Sequence, residues 1–217
     1  MSIQLHGYWR SSASYRVRIA LHLKQLDFEY IPVHLVKDGG EQKSEFYQKL
    51  NPSMLVPTFV DDDEDIVLNQ SLAILEYLDE KYPQTSRLLP QHTLDRARVR
   101  ALAQDIACDV QPIANLRVLA KLKEEFEATD EQTKQWSRDW IMKGFDALEK
   151  RLKTRAGKYC YGYEITLADV CLVPQVYNAL RFGLDLNSFP IIKKVWENCN
   201  ELDAFKRAAP EMQVDAQ

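Results

Sequence analysis

The pattern of the chain changes near residue 83. Before this point, short apolar stretches typical of strands alternate with helical stretches, and after it the strand signals stop. Pro83 ends the last helical stretch of the first part, because proline lacks the N–H group that a helix interior needs. The sequence therefore predicts an α/β domain over residues 1–83, a connector over 84–92 and an all-α domain over 93–217.

The first part has the predicted element order β-α-β-α-β-β-α. Its strand stretches are IQLHGY, FEYIPVHL, TFV and IVL, and its helices begin near Ser12, Ser44 and Gln70. The first β-α-β unit predicts a parallel strand pair, whereas the acidic turn Asp61–Asp65 predicts an antiparallel hairpin. Pro32 indicates that the second strand lies at an edge or ends there. This layout is the thioredoxin type.

The second part is predicted to be helical throughout. One stretch covers residues 93–127 with a break near Pro112, and another repeats large apolar residues up to Leu152. Thr166 and Asp169 have the spacing of a capping box, and the helix that follows them is apolar on nearly all sides. We therefore expect that helix to be central.

Charge and composition argue against several kinds of partner and site. The chain has a net charge of −4 and no run rich in Lys or Arg, which argues against nucleic-acid binding. It has no apolar stretch long enough to span a bilayer and no secretory signal pattern, so we expect a cytoplasmic protein without a membrane partner. The four cysteines and four histidines lack metal-ligand spacing, so no metal site is expected.

The segment SSASYRVRIAL opens the first helix directly after the first strand. In a thioredoxin-like protein this corner carries a Cys-x-x-Cys redox pair, and here serines and an alanine replace it. A helix N-terminus presents unpaired N–H groups and partial positive charge, so Ser11 and Ser12 are candidate donors to a bound anion. Serine is also a common N-cap, and the spacing alone favours capping.

Two further corners carry weaker signals. Val56-Pro57 precedes a strand, where a cis bond would leave the preceding amide free to pair with an extended ligand. The local sequence alone favours a trans bond. Gln70 and Ser71 begin a helix and suit a bound carboxylate, although capping explains them equally well.

Taken together, these corners resemble those of the glutathione transferases, and the resemblance is closest to the zeta class, the maleylacetoacetate isomerase family. The SS-x-S-x-RVRIAL pattern is specific to that class, whereas the VP and QS elements are shared by transferases generally. The match runs from about residue 5 to the C-terminus. The segments that carry it, in family order, are RSSASYRVRIAL, KDGGEQ, LNPSMLVPT, NQSLAILEYL, RLLP, DVQPIANLRVL and TLADVCLVPQVYNALRF.

The resemblance implies a thioredoxin-like N-terminal domain plus an all-α C-terminal domain, a homodimer, and glutathione as cofactor. The γ-glutamyl end of glutathione would lie at Gln70 and Ser71, the cysteinyl backbone at Val56 before a cis proline, and the glycine end near Gln42. The residues that it assigns to glutathione are Ser11, Ser12, Gln42, Val56, Pro57, Gln70, Ser71, Gln111 and Asn115.

The implied reaction is the cis–trans isomerisation of maleylacetoacetate to fumarylacetoacetate in tyrosine and phenylalanine catabolism. A thiolate adds to the double bond of this dicarboxylate, the resulting single bond rotates, and elimination leaves the trans isomer. The resemblance assigns catalysis to Ser11, Ser12 and Arg181. It places Gln111 and Arg181 at the substrate and Arg117 in a region near the site. Arg10 and Arg16 flank the serine corner, and their charge makes them further candidates for binding a dianionic substrate.

The free energy needed to ionise the glutathione thiol is consistent with catalysis by the serine corner. A free thiol has a pKa of about 8.5, and a helix dipole lowers it by at most ~1.5 units. A charge-assisted hydrogen bond from a serine adds roughly 1.5–3 kcal/mol, so we expect Ser11 to be the principal donor and Ser12 to support it.

The guanidinium of Arg181 suits a carboxylate or enolate oxygen, although a surface ion pair is its commoner use. Charge on a helix surface is equally compatible with Arg10 and Arg16.

The chain departs from the family at Ala13 and Tyr15, where many zeta members carry Cys and Trp. The missing cysteine puts in doubt activities that need a protein thiol, such as thiol transfer. The alternatives left open are a maleylpyruvate isomerase, a general transferase or peroxidase, and a non-catalytic glutathione-binding protein.

Overall fold

The computed structural model describes residues 2–217, apart from the side chain of Asp38. Its contacts divide the chain into two compact units. The first unit contains the residues up to Leu88 together with Leu202–Gln217, and the second contains Leu89–Glu201. Residues 202–217 therefore lie with the α/β unit, whereas the sequence-based division at 93–217 grouped them with the helices.

The first unit is built on a four-stranded mixed sheet in the order β2-β1-β3-β4. β1 is parallel to β2 and antiparallel to β3, and β3 and β4 form the predicted antiparallel hairpin. β2 is an edge strand that ends at Pro32, as the proline predicted. The elements are β1 (Ile3–Gly7), α1 (Ser12–Leu23), β2 (Glu29–Pro32), α2 (Glu45–Leu50), β3 (Thr58–Asp61), β4 (Ile66–Asn69) and α3 (Ser71–Lys81).

The strand register brings three corners to one end of this sheet. Thr58, the first residue of β3, pairs with His6 near the end of β1 and with Asn69 at the end of β4. α1 begins a few residues after β1, and α3 follows β4 after a single residue, Gln70. The N-termini of both helices and the segment before β3 therefore open at the same end.

The second unit is helical, as predicted. The break near Pro112 is confirmed, because a π-helical turn and a 3₁₀ turn interrupt the helix there. A Cβ at Gly144 would lie 2.1 Å from the side chain of Val110, so only glycine lets the two segments approach this closely. The elements are α4 (Thr93–Gln104), the π-helical turn (Asp105–Val110), the 3₁₀ turn (Gln111–Ala114), α5 (Leu116–Phe126), α6 (Asp130–Leu152), α7 (Leu167–Arg181) and α8 (Pro190–Asn200).

The capping box predicted before α7 is also confirmed. The fully buried carboxylate of Asp169 accepts hydrogen bonds from the Thr166 N–H at 2.8 Å and from the Cys160 N–H at 2.7 Å. Burial raises the pKa of Asp169 despite these donors. α7 is largely buried, which agrees with its predicted central position. Within residues 2–217, no helix combines the length and the apolar character that crossing a bilayer requires.

The segment 202–217 returns to the first unit through α9 (Asp203–Ala208), which packs against α1. The fully buried guanidinium of Arg18 donates from Nε to the Ala208 carbonyl at 3.0 Å. The same guanidinium donates from Nη2 to the Trp9 carbonyl at 2.8 Å. The bond to Ala208 connects α1 with α9 and so holds this segment on the α/β unit, whereas the bond to Trp9 holds the turn before α1.

Candidate functional site

Ser11 is the N-cap of α1. Its backbone is extended, and its Oγ accepts a hydrogen bond from the Ser14 N–H at 3.3 Å. The capping interpretation is therefore confirmed for Ser11. A cap uses only a lone pair of the hydroxyl oxygen, so the hydroxyl hydrogen remains available to a ligand. Capping and donation to an anion are compatible at this residue.

The N-terminus of α1 provides partial positive charge at this corner. The first turn of α1 contains no acidic residue, so nothing in that turn neutralises the positive end of the helix. Ser12, the first helical residue, is buried. Arg10 is half-buried, and its guanidinium lies 5.2 Å from the centre of the Trp9 ring. An anion at this helix end would meet partial positive charge and a nearby cation.

The second corner precedes β3. The Val56-Pro57 peptide bond is cis, as the family resemblance implied, so the preference for trans that the local sequence indicated is wrong. Among residues 2–217, no partner is present for the backbone N–H of Val56, which is only partly buried. This N–H can therefore donate a hydrogen bond to the backbone of an extended ligand.

A hydrogen-bonded network supports this corner, and the sequence reasoning did not find it. The buried Tyr47 hydroxyl lies 2.7 Å from the Leu55 carbonyl oxygen and 2.9 Å from the Thr58 hydroxyl. Thr58 donates to Asn69 Oδ1 at 2.8 Å, and Asn51 Nδ2 also donates to the Leu55 carbonyl at 2.7 Å. The network connects the segment before Val56 with the residue before Gln70. In the sequence, the only indication of this network is that Asn51 and Thr58 lie in the segment LNPSMLVPT and Asn69 lies in NQS.

At the third corner, Gln70 has the backbone angles φ 74° and ψ 109°, which non-glycine residues rarely adopt. Such a conformation costs roughly 1–3 kcal/mol and is found most often where function requires it. The Gln70 side chain makes no capping hydrogen bond, so the capping interpretation is wrong for this residue. Its exposed amide is left to bind a ligand.

Arg16 connects the first corner with the third. It lies on α1, is only 2% exposed, and donates from Nη1 to the buried Ser71 Oγ at 3.2 Å. Charge on a helix surface is therefore the wrong interpretation of Arg16, although it was compatible with the sequence. Its guanidinium adds positive charge to the N-terminus of α3, which favours a bound carboxylate there.

Gln42 lies in a 3₁₀ turn between β2 and α2 and is folded against its own loop. Its Nε2 donates to the Leu35 carbonyl at 3.3 Å, and a Cβ at Gly40 would lie 2.5 Å from its amide. Its buried Oε1 has no hydrogen-bond partner among the described residues. That Gln42 binds the glycine end of glutathione stays a prediction.

In the second unit, three predicted residues lie close together in the chain at the break between α4 and α5. Gln111 opens the 3₁₀ turn and is half-buried. Asn115 is the N-cap of α5, and its Oδ1 accepts from the N–H of the exposed Arg117 at 3.1 Å. Trp136 of α6 donates from Nε1 to the Ile113 carbonyl at 3.0 Å, which holds this turn against α6.

Arg181 is the last residue of α7, and its side chain is exposed. Its guanidinium lies 4.6 Å from the centre of the Phe182 ring. Arg138 of α6 donates to the Phe182 carbonyl at 3.0 Å. The same part of α6 therefore holds both the end of α7 and the turn that contains Gln111.

The sequence matches two protein-family models, one for each part of the chain. The family model for the glutathione S-transferase N-terminal domain matches residues 10–81. The family model for the glutathione S-transferase C-terminal domain matches residues 110–203. Together these matches cover more than half of the chain.

Individual proteins are similar over almost the whole chain. A probable maleylacetoacetate isomerase of Vibrio cholerae is 52% identical over 216 residues, covering 100% of this chain and 99% of that protein. A holo structure of a maleyl pyruvate isomerase, a bacterial zeta-class glutathione S-transferase, has a TM-score of 0.94 at 45% identity, covering 99% and 100% of the two chains. A maleylacetoacetate isomerase of Methylobacterium extorquens, solved with malonate and GSH, has a TM-score of 0.93 at 38% identity, covering 99% of each chain.

Proposed function

The chain belongs to the glutathione S-transferase family, and on this premise we propose that it is a glutathione-dependent maleylacetoacetate isomerase. The observation that carries the proposal is the meeting of three corners at one end of the sheet, with Ser11 at the N-terminus of α1. A second candidate is a maleylpyruvate isomerase, because a zeta-class enzyme of that name shares 45% identity and the fold. Both candidates use the same chemistry on a cis dicarboxylate.

The first unit fits glutathione. The tripeptide has a charged γ-glutamyl end, an extended backbone and a thiol, and the three corners offer a matching set of groups. Gln70, Ser71 and Arg16 suit the γ-glutamyl carboxylate, because they form a positive, donor-rich helix start. The Val56 N–H suits the cysteinyl backbone. Gln42, Gln111 and Asn115 remain assigned to glutathione on the family resemblance alone.

Bound glutathione supplies the thiolate that adds to the double bond and leaves again after rotation. Ser11 donates its hydroxyl hydrogen to the sulfur, and the N-terminus of α1 adds its partial positive charge. The dipole alone contributes roughly 0.3–2 kcal/mol, so the donor is needed to bring the thiol near the working pH. Ser12, which is buried at the first helical position, supports the same end.

The substrate carries carboxylates and gains negative charge on an enolate oxygen as the double bond is attacked. The guanidinium fork of Arg181 suits these oxygens, and the family resemblance assigns Arg181 to the substrate and Arg117 to a region near the site. Arg10 remains a candidate on its charge alone. Since Arg16 is buried against Ser71, its charge acts at the glutamyl end of glutathione rather than on the substrate. Because position 13 is an alanine, thiol transfer by a protein cysteine at this corner is in doubt.

Replacing Arg181 with alanine should lower kcat/KM for the dicarboxylate severalfold, because an exposed cation contributes roughly 1 kcal/mol to binding an anion. Glutathione affinity should stay unchanged. Steady-state kinetics with the substrate varied at saturating glutathione give this ratio. The matched control is Arg155→Ala, which removes another exposed arginine of the second unit. Equal kcat/KM in both variants would remove Arg181 from the site.

The wider setting belongs to the same proposal. The α/β unit binds glutathione and the helical unit binds the substrate, in a cytoplasmic homodimer that acts in tyrosine and phenylalanine catabolism. Neither a nucleic acid nor a membrane is expected as a partner. A side activity as a general transferase or peroxidase is compatible with the same glutathione site.

The test that separates the two candidates is a spectrophotometric isomerisation assay on maleylacetoacetate and maleylpyruvate at saturating glutathione. The proposal predicts a higher kcat/KM for maleylacetoacetate. A clear preference for maleylpyruvate would replace the first candidate by the second. Conjugation of electrophiles without isomerisation of either substrate would point to a general transferase.

A further inference from the structure

The turn between β1 and α1 is held by a residue from the far end of the chain. The backbone N–H of Trp9 donates to Asp215 Oδ2 at 3.0 Å, although the two residues are 206 positions apart. The Trp9 carbonyl accepts from Arg18 Nη2 at 2.8 Å. Both polar backbone groups of Trp9 are therefore fixed by side chains outside the turn.

Asp215 also interacts with Arg18, the residue that binds the Trp9 carbonyl. Its Oδ2 accepts from the Tyr30 hydroxyl at 3.4 Å, and its charge favours the cationic form of Arg18. The guanidinium of Arg18 lies 5.3 Å and 5.7 Å from the ring centres of Tyr15 and Tyr30. Burial lowers the pKa of Arg18, and the neighbouring Tyr30, Tyr15 and Asp215 act in the opposite direction. Arg18 of α1 and Tyr30 of β2 are both titratable groups that interact with Asp215.

The residue held in this way lies two positions before Ser11. The Ser11 N–H donates to the Tyr8 carbonyl at 2.9 Å, and the Tyr8 N–H donates to Ser14 Oγ at 3.4 Å. One side of the turn is therefore fixed by α1 and the other by Asp215. A shift of Trp9 would be passed to Ser11 through this short turn.

We propose that Asp215 is a positioning residue for the proposed reaction: its hydrogen bond to the Trp9 N–H fixes the Tyr8–Ser11 turn, and the turn aims the Ser11 hydroxyl at the thiol of glutathione. This inference rests on the proposed function, since it requires glutathione at the N-terminus of α1. A positioning role differs from a merely structural one, in which Asp215 only attaches the segment 202–217 to the unit.

The test compares Asp215→Ala, which removes the acceptor, with Asp215→Asn, which keeps an acceptor oxygen for the Trp9 N–H. The matched control is Glu211→Ala, which removes an exposed acidic side chain of the same segment. The readout is the pKa of enzyme-bound glutathione, measured from the ultraviolet absorbance of its thiolate against pH. A weaker Ser11 hydrogen bond raises this pKa, because the bond favours the thiolate.

We expect Asp215→Ala to raise the pKa of the bound thiol by about half a unit, which corresponds to about a threefold loss of thiolate below the pKa. Asp215→Asn and Glu211→Ala should keep the wild-type pKa, and glutathione should bind to all variants. An unchanged pKa in Asp215→Ala, with only a lower unfolding temperature, would overturn the positioning role. An equal shift in Asp215→Asn would also overturn it, because the hydrogen bond to Trp9 would not be the cause. A wild-type protein that binds no glutathione thiolate would overturn the proposed function together with this inference.

Discussion

Replacing Ser11 with alanine is expected to lower turnover by more than about tenfold while glutathione still binds. A charge-assisted hydrogen bond contributes roughly 1.5–3 kcal/mol, and about 1.4 kcal/mol corresponds to a factor of ten. The hydroxyl hydrogen of Ser11 is free for this bond, because its cap uses only a lone pair of the oxygen. The measurements are kcat from the isomerisation assay and glutathione affinity from calorimetry.

The cap that Ser11 forms requires its own control. Ser44 caps α2 with the same kind of bond, from the Tyr47 N–H at 3.2 Å, so Ser44→Ala removes an equivalent cap elsewhere in the unit. Ser11→Asp keeps a capping oxygen at Ser11 but cannot donate to a thiolate. We expect Ser44→Ala to retain turnover and Ser11→Asp to lose it. Wild-type turnover in Ser11→Ala would show that Ser11 is only a cap, and a larger loss in Ser12→Ala would transfer the role to that residue.

Replacing Ser71 with alanine is expected to weaken glutathione binding by about tenfold or more. The Ser71 hydroxyl accepts from Arg16, so its hydrogen remains available to the γ-glutamyl carboxylate at the N-terminus of α3. The substitution removes this donor and also the acceptor that orients the buried guanidinium, and a hydrogen bond to a charged group contributes roughly 1.5–3 kcal/mol. Isothermal calorimetry with glutathione measures the loss directly.

The control for Ser71 is Ser53→Ala, which removes an exposed serine hydroxyl of the same unit. This variant should bind glutathione with wild-type affinity. The kcat of Ser71→Ala at saturating glutathione should fall much less than its affinity, because Ser71 acts at the glutamyl end rather than at the sulfur. Unchanged affinity in Ser71→Ala would mean that the glutamyl end lies elsewhere.

Local patterns were sufficient to predict the elements of this fold and the three corners. Strand and helix periodicity predicted the mixed sheet, Pro32 predicted the end of β2, and the break near Pro112 was read from one proline. These features depend on the residue and its neighbours in the chain. The capping box at Thr166 is predictable for the same reason.

The features that the sequence did not predict depend on contacts between distant residues. The burial of Arg16 depends on its packing near Ser71, 55 residues away, so charge alone suggested a surface position. The network of Tyr47, Thr58 and Asn69 and the return of Asp215 to Trp9 join segments that no periodicity relates. In this protein, local sequence predicts which corners exist, and long-range hydrogen bonds determine how rigidly each one is held.

The most direct test of the central claim is the conversion of maleylacetoacetate with glutathione present in substoichiometric amount. The account predicts that all of the substrate becomes fumarylacetoacetate, that no conversion above background occurs without glutathione, and that free glutathione is recovered in full. Conversion that stops when the glutathione has been consumed, or that proceeds equally well without it, would contradict the account.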